Sequence, residues 1–215
     1  MGPTGAATVM RDEAGIQVDT DRIMTAGDSA GGYLSLHVGL SHPAEVRAVT
    51  AAYPLVDAAC PHFIGQYTKT VFNLPTIPKE TVSTQMTEIA HRKTKEIVSS
   101  DPLLRRGGLM FGLVQHGLFG DLFPTHQRNI FPVFQLEDGA RFPLGGVLVW
   151  HGKDDSVVPV EGSLKLKKTV SELDPDLDFR LVIREGEHGF DHATNVNDEW
   201  AAEALNGCVT SWLQS

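Results

Sequence analysis

Apolar residues along this chain fall into short runs of strand length separated by stretches with helical spacing. Residues 22–26, RIMTA, read as a short strand, and residues 30–40 as a helix closed by Ser41-His42-Pro43. Residues 46–53, VRAVTAAY, form an apolar run without strict alternation, the pattern of a strand covered on both faces. Residues 146–150, GVLVW, predict another strand. A helix follows, with Ser163, Leu166, Val170 and Leu173 at i, i+3, i+7 and i+10 and a stop at Asp174-Pro175. Residues 179–183 predict a further strand. A last helix over residues 198–213 puts Ala201, Leu205, Cys208 and Trp212 on one face. Towards the N-terminus, residues 6–14 predict a short helix stopped by Gly15, and residues 16–21 a turn. Strands alternating with helices predict an α/β fold with a mainly parallel sheet flanked by helices.

Residues 57–142 break this rhythm. They are rich in Pro and Gly and carry two helical pieces. Residues 79–98 place Val82, Met86, Ile89 and Ile97 at i, i+4, i+7 and i+15, an amphipathic helix with Pro78 near its start. Residues 108–119 predict a second, more apolar helix. An insertion of this kind between core elements reads either as a lid or cap or as a helical decoration without a gating role. Phe111, Leu113, Leu118 and Phe119 are apolar enough to line a pocket and equally suited to plain packing.

The length of 215 residues fits a single domain over residues 1–215, with this insertion inside it. The formal net charge of −9 argues against a nucleic-acid footprint and against an anionic membrane surface. No run approaches the roughly 18 apolar residues a membrane span needs. The opening MGPTGAA has neither the basic nor the apolar region of a secretory signal, and Ala6 breaks the myristoylation pattern. The two cysteines, Cys60 and Cys208, therefore read as free thiols in a cytoplasmic protein, with a disulfide as the alternative.

Three short stretches carry chemistry. GDSAGG at 27–32 contains G-x-S-x-G with Ser29 at its centre. The pattern alone is a weak signal, but here the serine stands where a strand turns into a helix. That is the sharp elbow that lifts a hydroxyl above a sheet edge. Gly27 and Gly31 leave room for the turn and for close helix packing. The helix start places the N–H of Ala30 beside the serine, where negative charge would develop. A serine nucleophile needs a base, and the base an orienting acid. Asp155 and His188 each follow a predicted strand, so a parallel sheet brings both to the same edge as Ser29. No His/Cys/Asp/Glu cluster has metal-ligand spacing, and neither a phosphate-binding G-x-x-x-x-G-K-[ST] loop nor a dinucleotide fingerprint occurs. No cofactor or metal is expected.

GDSAGG, HGKDDSVVP at 151–159 and GEHGF at 186–190 together resemble the hormone-sensitive-lipase-like branch of the α/β-hydrolase fold, a group of carboxylesterases, lipases, deacetylases and related hydrolases. The similarity runs over residues 6–213 and is weak across the insertion. It implies Ser29 as nucleophile, Asp155 as acid and His188 as base. Asp154 is the other candidate acid, and the spacing to Val158-Pro159 favours Asp155. The resemblance gives Asp28 a structural hydrogen-bonding role. His151 is expected to cap a strand end and His192 to lie at the surface. His37, His42, His62, His91, His116 and His126 read as ordinary polar or packed residues.

In that family the chain before the elbow supplies more strands and an HGGG-type loop with further oxyanion donors. Only 28 residues precede Ser29, and they contain no HGG. The resemblance thus implies a fold incomplete at its N-terminus, beginning near the end of the helix that leads into the nucleophile strand. It also implies Ala30 N–H as the remaining oxyanion donor, and strand 22–26 as an exposed edge open to self-association. The expected function is cleavage of small-molecule carboxylic esters of small or medium acyl groups. The alternatives are an impaired fragment or pseudoenzyme that binds a small ligand or partner, and an acyltransferase or amidase on the same three residues.

Overall fold

The computed structural model describes residues 9–11, 17–91 and 106–214. Its centre is a four-stranded, all-parallel sheet of β3 (Ile23–Asp28), β4 (Val46–Ala52), β5 (Val147–Gly152) and β6 (Phe179–Arg184), in that spatial order. Each strand pairs with the next in the chain. Parallel neighbours require a crossover, and each connection supplies helices: α1 (Ala30–Ser41) after β3, residues 57–142 after β4, and α6 (Glu161–Leu173) after β5. A final helix, α7 (Glu199–Leu213), follows β6. This is the fold class expected from the sequence, a mainly parallel sheet flanked by helices.

The continuous apolar character of β4 and β5 has its reason in burial from both sides. Successive side chains of a strand point to opposite faces. Val49, Ala51, Val147 and Val149 meet Leu36 and Leu40 of α1 and Leu166 and Val170 of α6 in one cluster. Ala48 and Leu148 point the other way, against Ala204 and Cys208 of α7. Cys60 and Cys208 are both free thiols. β3 forms the edge of this sheet and leaves Ile23 exposed.

The segment between β4 and β5 contains α2 (Pro61–Ile64), α3 (Lys79–His91), α4 (Gly107–Gln115) and α5 (Pro132–Glu137), with two short 3-10 turns. Its apolar residues build a cluster of their own around Phe63, Val71, Val82, Leu113 and Phe119. That cluster runs on into Val157 and Val158, just past Asp155. Phe111 and Leu118 pack against it. The helix expected over 79–98 is seen to His91, and residues 92–98 lie outside the described residues.

Two N-terminal expectations are corrected. Where a helix over 6–14 was expected, Val9–Arg11 is a strand, β1, and the rest of that span lies outside the described residues. Where a turn over 16–21 was expected, Gln17–Asp19 is a strand, β2. The two pair antiparallel, Met10 opposite Val18, as a separate small sheet. Strand pairing here overrides the local helix preference of an alanine-rich stretch. No helix among the described residues is long and apolar enough to cross a membrane.

Candidate active site

The carboxyl ends of β3, β5 and β6 lie at one edge of the sheet, and the loops leaving them carry Ser29, Asp155 and His188. At the end of β3 the chain reverses through Ser29, whose φ of 53° and ψ of −117° are costly for a residue with a side chain. Three backbone bonds hold it there. Ser29 N–H donates to Ala52 O at 2.9 Å, and Ser29 O accepts from Tyr33 N–H at 3.0 Å and Leu55 N–H at 3.3 Å. Gly27 makes the reversal sterically possible, because a Cβ there would stand 2.3 Å from Gly31 O. The constraint at Gly31 differs from the expectation. A Cβ at Gly31 would meet nothing nearer than Asp28 Oδ1 at 3.7 Å, so this position needs no extra room. Gly32 is the residue that packs closely, against Ala52 O and Pro54.

His188 lies within hydrogen-bond reach of both other residues. Its Nδ1 is 2.7 Å from Asp155 Oδ2, and its Nε2 is 3.0 Å from Ser29 Oγ. A carboxylate only accepts, so the proton belongs on Nδ1, and Nε2 is left to accept from the serine hydroxyl. Asp155 is buried. Its Oδ1 accepts the N–H groups of Val157 at 2.9 Å and Val158 at 2.8 Å, the local turn that the HGKDDSVVP spacing encodes. Burial alone would raise its pKa. Hydrogen bonds from His151, His188 and Val158 outweigh that and hold it at about 2. Asp154 is not drawn into this hydrogen-bonded group.

Ala30 is the first residue of α1, and the leading N–H groups of a helix have no acceptor within it. Its N–H adjoins Ser29 at the positive end of the helix. Asp28 is exposed at the end of β3, and His192 is exposed beyond the His188 loop.

Further neighbours contact these residues, and His151, expected to cap a strand end, lies inside β5. His151 is fully buried, with Nδ1 2.8 Å from Ser163 Oγ and Nε2 2.8 Å from Val158 O. A carbonyl only accepts, so His151 carries its proton on Nε2. That nitrogen also lies 3.3 Å from Asp155 Oδ2, which makes His151 a second imidazole on the acid. Tyr53, just past β4, packs against the His188 ring with centroids 4.5 Å apart. Burial first, and then the Asp191 carboxylate, push its hydroxyl pKa upward, so it remains a neutral phenol. Phe72, from the segment between β4 and β5, faces His188 at 6.1 Å and Phe111 at 5.7 Å. Glu187 accepts three hydrogen bonds beside the site. His151 and Glu187 stand inside the 151–159 and 186–190 motifs and Tyr53 and Phe72 outside any, but each acts through a contact made only in three dimensions. Among the described residues, no group of three or more His, Cys, Asp or Glu side chains could hold a metal ion.

No protein-family profile matches the chain. The chain is similar to the probable carboxylesterase M8 of a Phoma species, at 25% identity over 200 residues. The match takes in 90% of this chain and spans 61% of the length of that relative. Among solved structures, the monoacylglycerol lipase of Paleococcus ferrophilus is similar at 18% identity with a TM-score of 0.49, over 89% of this chain and 69% of that one. An S-formylglutathione hydrolase from Agrobacterium tumefaciens is similar at 18% identity with a TM-score of 0.46, over 87% of this chain and 50% of that one.

Proposed function

We propose that this protein is a serine hydrolase that cleaves carboxylic esters of small or medium acyl groups through an acyl-enzyme on Ser29. The observation that carries the reading is the unbroken hydrogen-bonded line from Asp155 through His188 to Ser29. The likeness to a probable carboxylesterase supports ester cleavage as the reaction class.

In the first half-reaction His188 Nε2 takes the Ser29 proton as Oγ bonds to the ester carbonyl carbon. The carbonyl electron pair moves onto oxygen, and Ala30 N–H is the oxyanion donor. His188 then returns the proton to the departing alkoxide, which leaves as the alcohol. In the second half, His188 takes a proton from water, whose oxygen attacks the acyl carbon, and gives it back to Ser29 as the acid is released. Asp155 stays ionised throughout. It fixes the Nδ1–H tautomer and stabilises the transient imidazolium. The cycle as written needs no cofactor and no metal. Residues 57–142 act in this reading as a cap over the acyl pocket, a role supported by Phe72 standing between Phe111 and His188. The free Cys60 and Cys208 fit a reducing, cytoplasmic setting.

Hydrolysis of p-nitrophenyl acetate and butyrate tests the reading. Wild-type protein turns both over, and Ser29→Ala loses about 10⁴–10⁶-fold in kcat while still folding. Equal rates for the two proteins would refute it.

A further inference from the structure

A second hydrogen-bonded group adjoins the Ser29–His188–Asp155 line, and the hydrolysis steps do not use it. Glu187 is half-buried between the loops that follow β5 and β6. Its Oε2 accepts the backbone N–H of Ser156 at 2.9 Å and of His188 at 2.7 Å. Its Oε1 accepts the Ser156 hydroxyl. Ser156 Oγ in turn accepts the Phe72 N–H at 2.9 Å. The donors are the residue after the acid, that same residue's side chain, and the base itself. One carboxylate therefore ties the backbone carrying Asp155 to the backbone carrying His188.

The chemistry of the acceptor matters. Three donors converge on one side chain, and only a group with two acceptor oxygens and no hydrogen of its own can take all three. Glutamine in the same place would turn an N–H towards the Ser156 hydroxyl. Alanine would leave two partly buried N–H groups without an acceptor, a cost that favours moving the loops apart. The tie extends further. Phe72 and Asn73 both hold φ near +50°, at 51° and 52°, unusual for residues with side chains. The Phe72 N–H bond to Ser156 pins that strained turn where the Phe72 ring faces His188.

We infer that Glu187 is a positioning residue: it sets the spacing of Asp155 and His188 and, through Ser156, holds Phe72 of the segment between β4 and β5 against the base. The catalytic consequence rests on the serine-hydrolase reading. The structural consequence, an intact His188 Nδ1–H bond to Asp155, does not.

Both consequences are testable in the full chain, with two readouts. The first is the low-field proton resonance of His188 Nδ1–H, assigned by its loss in His188→Gln. The second is kcat and KM on p-nitrophenyl butyrate. Glu187→Ala is expected to broaden or abolish the resonance and to lower kcat by roughly 30–100-fold, the scale of a misplaced catalytic group, with KM within about threefold. Glu187→Gln keeps an acceptor for the two N–H groups, so it retains the resonance and recovers kcat to within about fivefold of wild type. Ser156→Ala, which keeps the backbone contacts, serves if Glu187→Ala fails to fold. Its expected effect is a kcat loss of about tenfold at unchanged KM. A sharp, unshifted resonance and near wild-type kcat in folded Glu187→Ala, or in Ser156→Ala should the first not fold, would overturn the inference. A wild-type resonance without ester turnover would sink the hydrolase reading instead, and the resonance of the variants would then decide the role of Glu187.

Discussion

Asp155 is the residue whose environment has the most direct consequence for solution behaviour. Hydrogen bonds hold its pKa at about 2 against an ordinary 3.8. A carboxyl held lower in the folded state stabilises the fold above its unfolded pKa, and that contribution is lost as the pH falls. The window here runs from about pH 4 down to about pH 2, and the contribution is on the order of 2 kcal/mol. Urea unfolding of wild-type protein is expected to weaken steeply across that window. Asp155→Asn should flatten the part of the slope due to this group, and should also lower kcat by about 10⁴ by releasing the wrong imidazole tautomer. An unchanged acid limb in Asp155→Asn would show that other carboxylates dominate. The family resemblance, with the placement of each residue just past a predicted strand, names in advance the three side chains that meet here. It is silent on Tyr53, Ser156 and Glu187. Their importance comes from what faces them, and no local pattern encodes the partner of a side chain dozens of residues away.

At the scale of elements, the strand–elbow–helix unit of β3 and α1 shows that two glycines of one motif can face very different steric demands. A Cβ at Gly27 would press on the backbone of Gly31 at 2.3–2.4 Å, and backbone cannot move aside as a side-chain tip can. Gly27→Ala is therefore expected to destabilise by about 1–3 kcal/mol and to misplace the serine. Gly31 lies in α1 with ordinary space around a Cβ. Gly31→Ala should keep the fold within about 1 kcal/mol and gain in helix propensity. Thermal melts of the two variants separate the cases, and equal losses would contradict this account. The long elements were legible because burial repeats along them: α6 buries Ser163, Leu166 and Val170, the positions its spacing predicts. β1 and β2 were not legible. Three-residue strands are too short to show a period, and their pairing is a contact between segments that neither segment announces.

Across the whole molecule, the two central strands β4 and β5 are covered on one face by α1, α5 and α6 and on the other by α7. Cys208 reports on the second of these faces. It is buried against Ala48 and Leu148, and burial, followed by the Asp178 charge, pushes its thiol up to about 11 from an ordinary 9.0. A thiol kept neutral in this way stabilises the fold below its unfolded pKa, and the contribution fades as the pH rises from about 9 towards 11. Folded protein is expected to react with a thiol reagent at the half-buried Cys60 well before Cys208. Stability should fall above pH 9, with a shallower decline in Cys208→Ala. Prompt labelling of Cys208 in native protein would mean that α7 does not cover these strands. Residues 57–142 could be read from the sequence as an insertion with helices. Their merging with the acid loop through Val157 and Val158 could not, because a second core depends on packing between elements that are far apart in the chain.

In the proposed function, three loops at one edge of the sheet make Ser29 an activated nucleophile. Treatment of the folded protein with a fluorophosphonate probe, followed by peptide mass spectrometry, tests it most directly. A single adduct on Ser29 is expected, formed rapidly in wild-type protein and at least about 100-fold more slowly in His188→Gln. A folded wild-type protein that stays unlabelled at Ser29, or a His188→Gln variant that labels as fast as wild type, would rule out activation of Ser29 by His188.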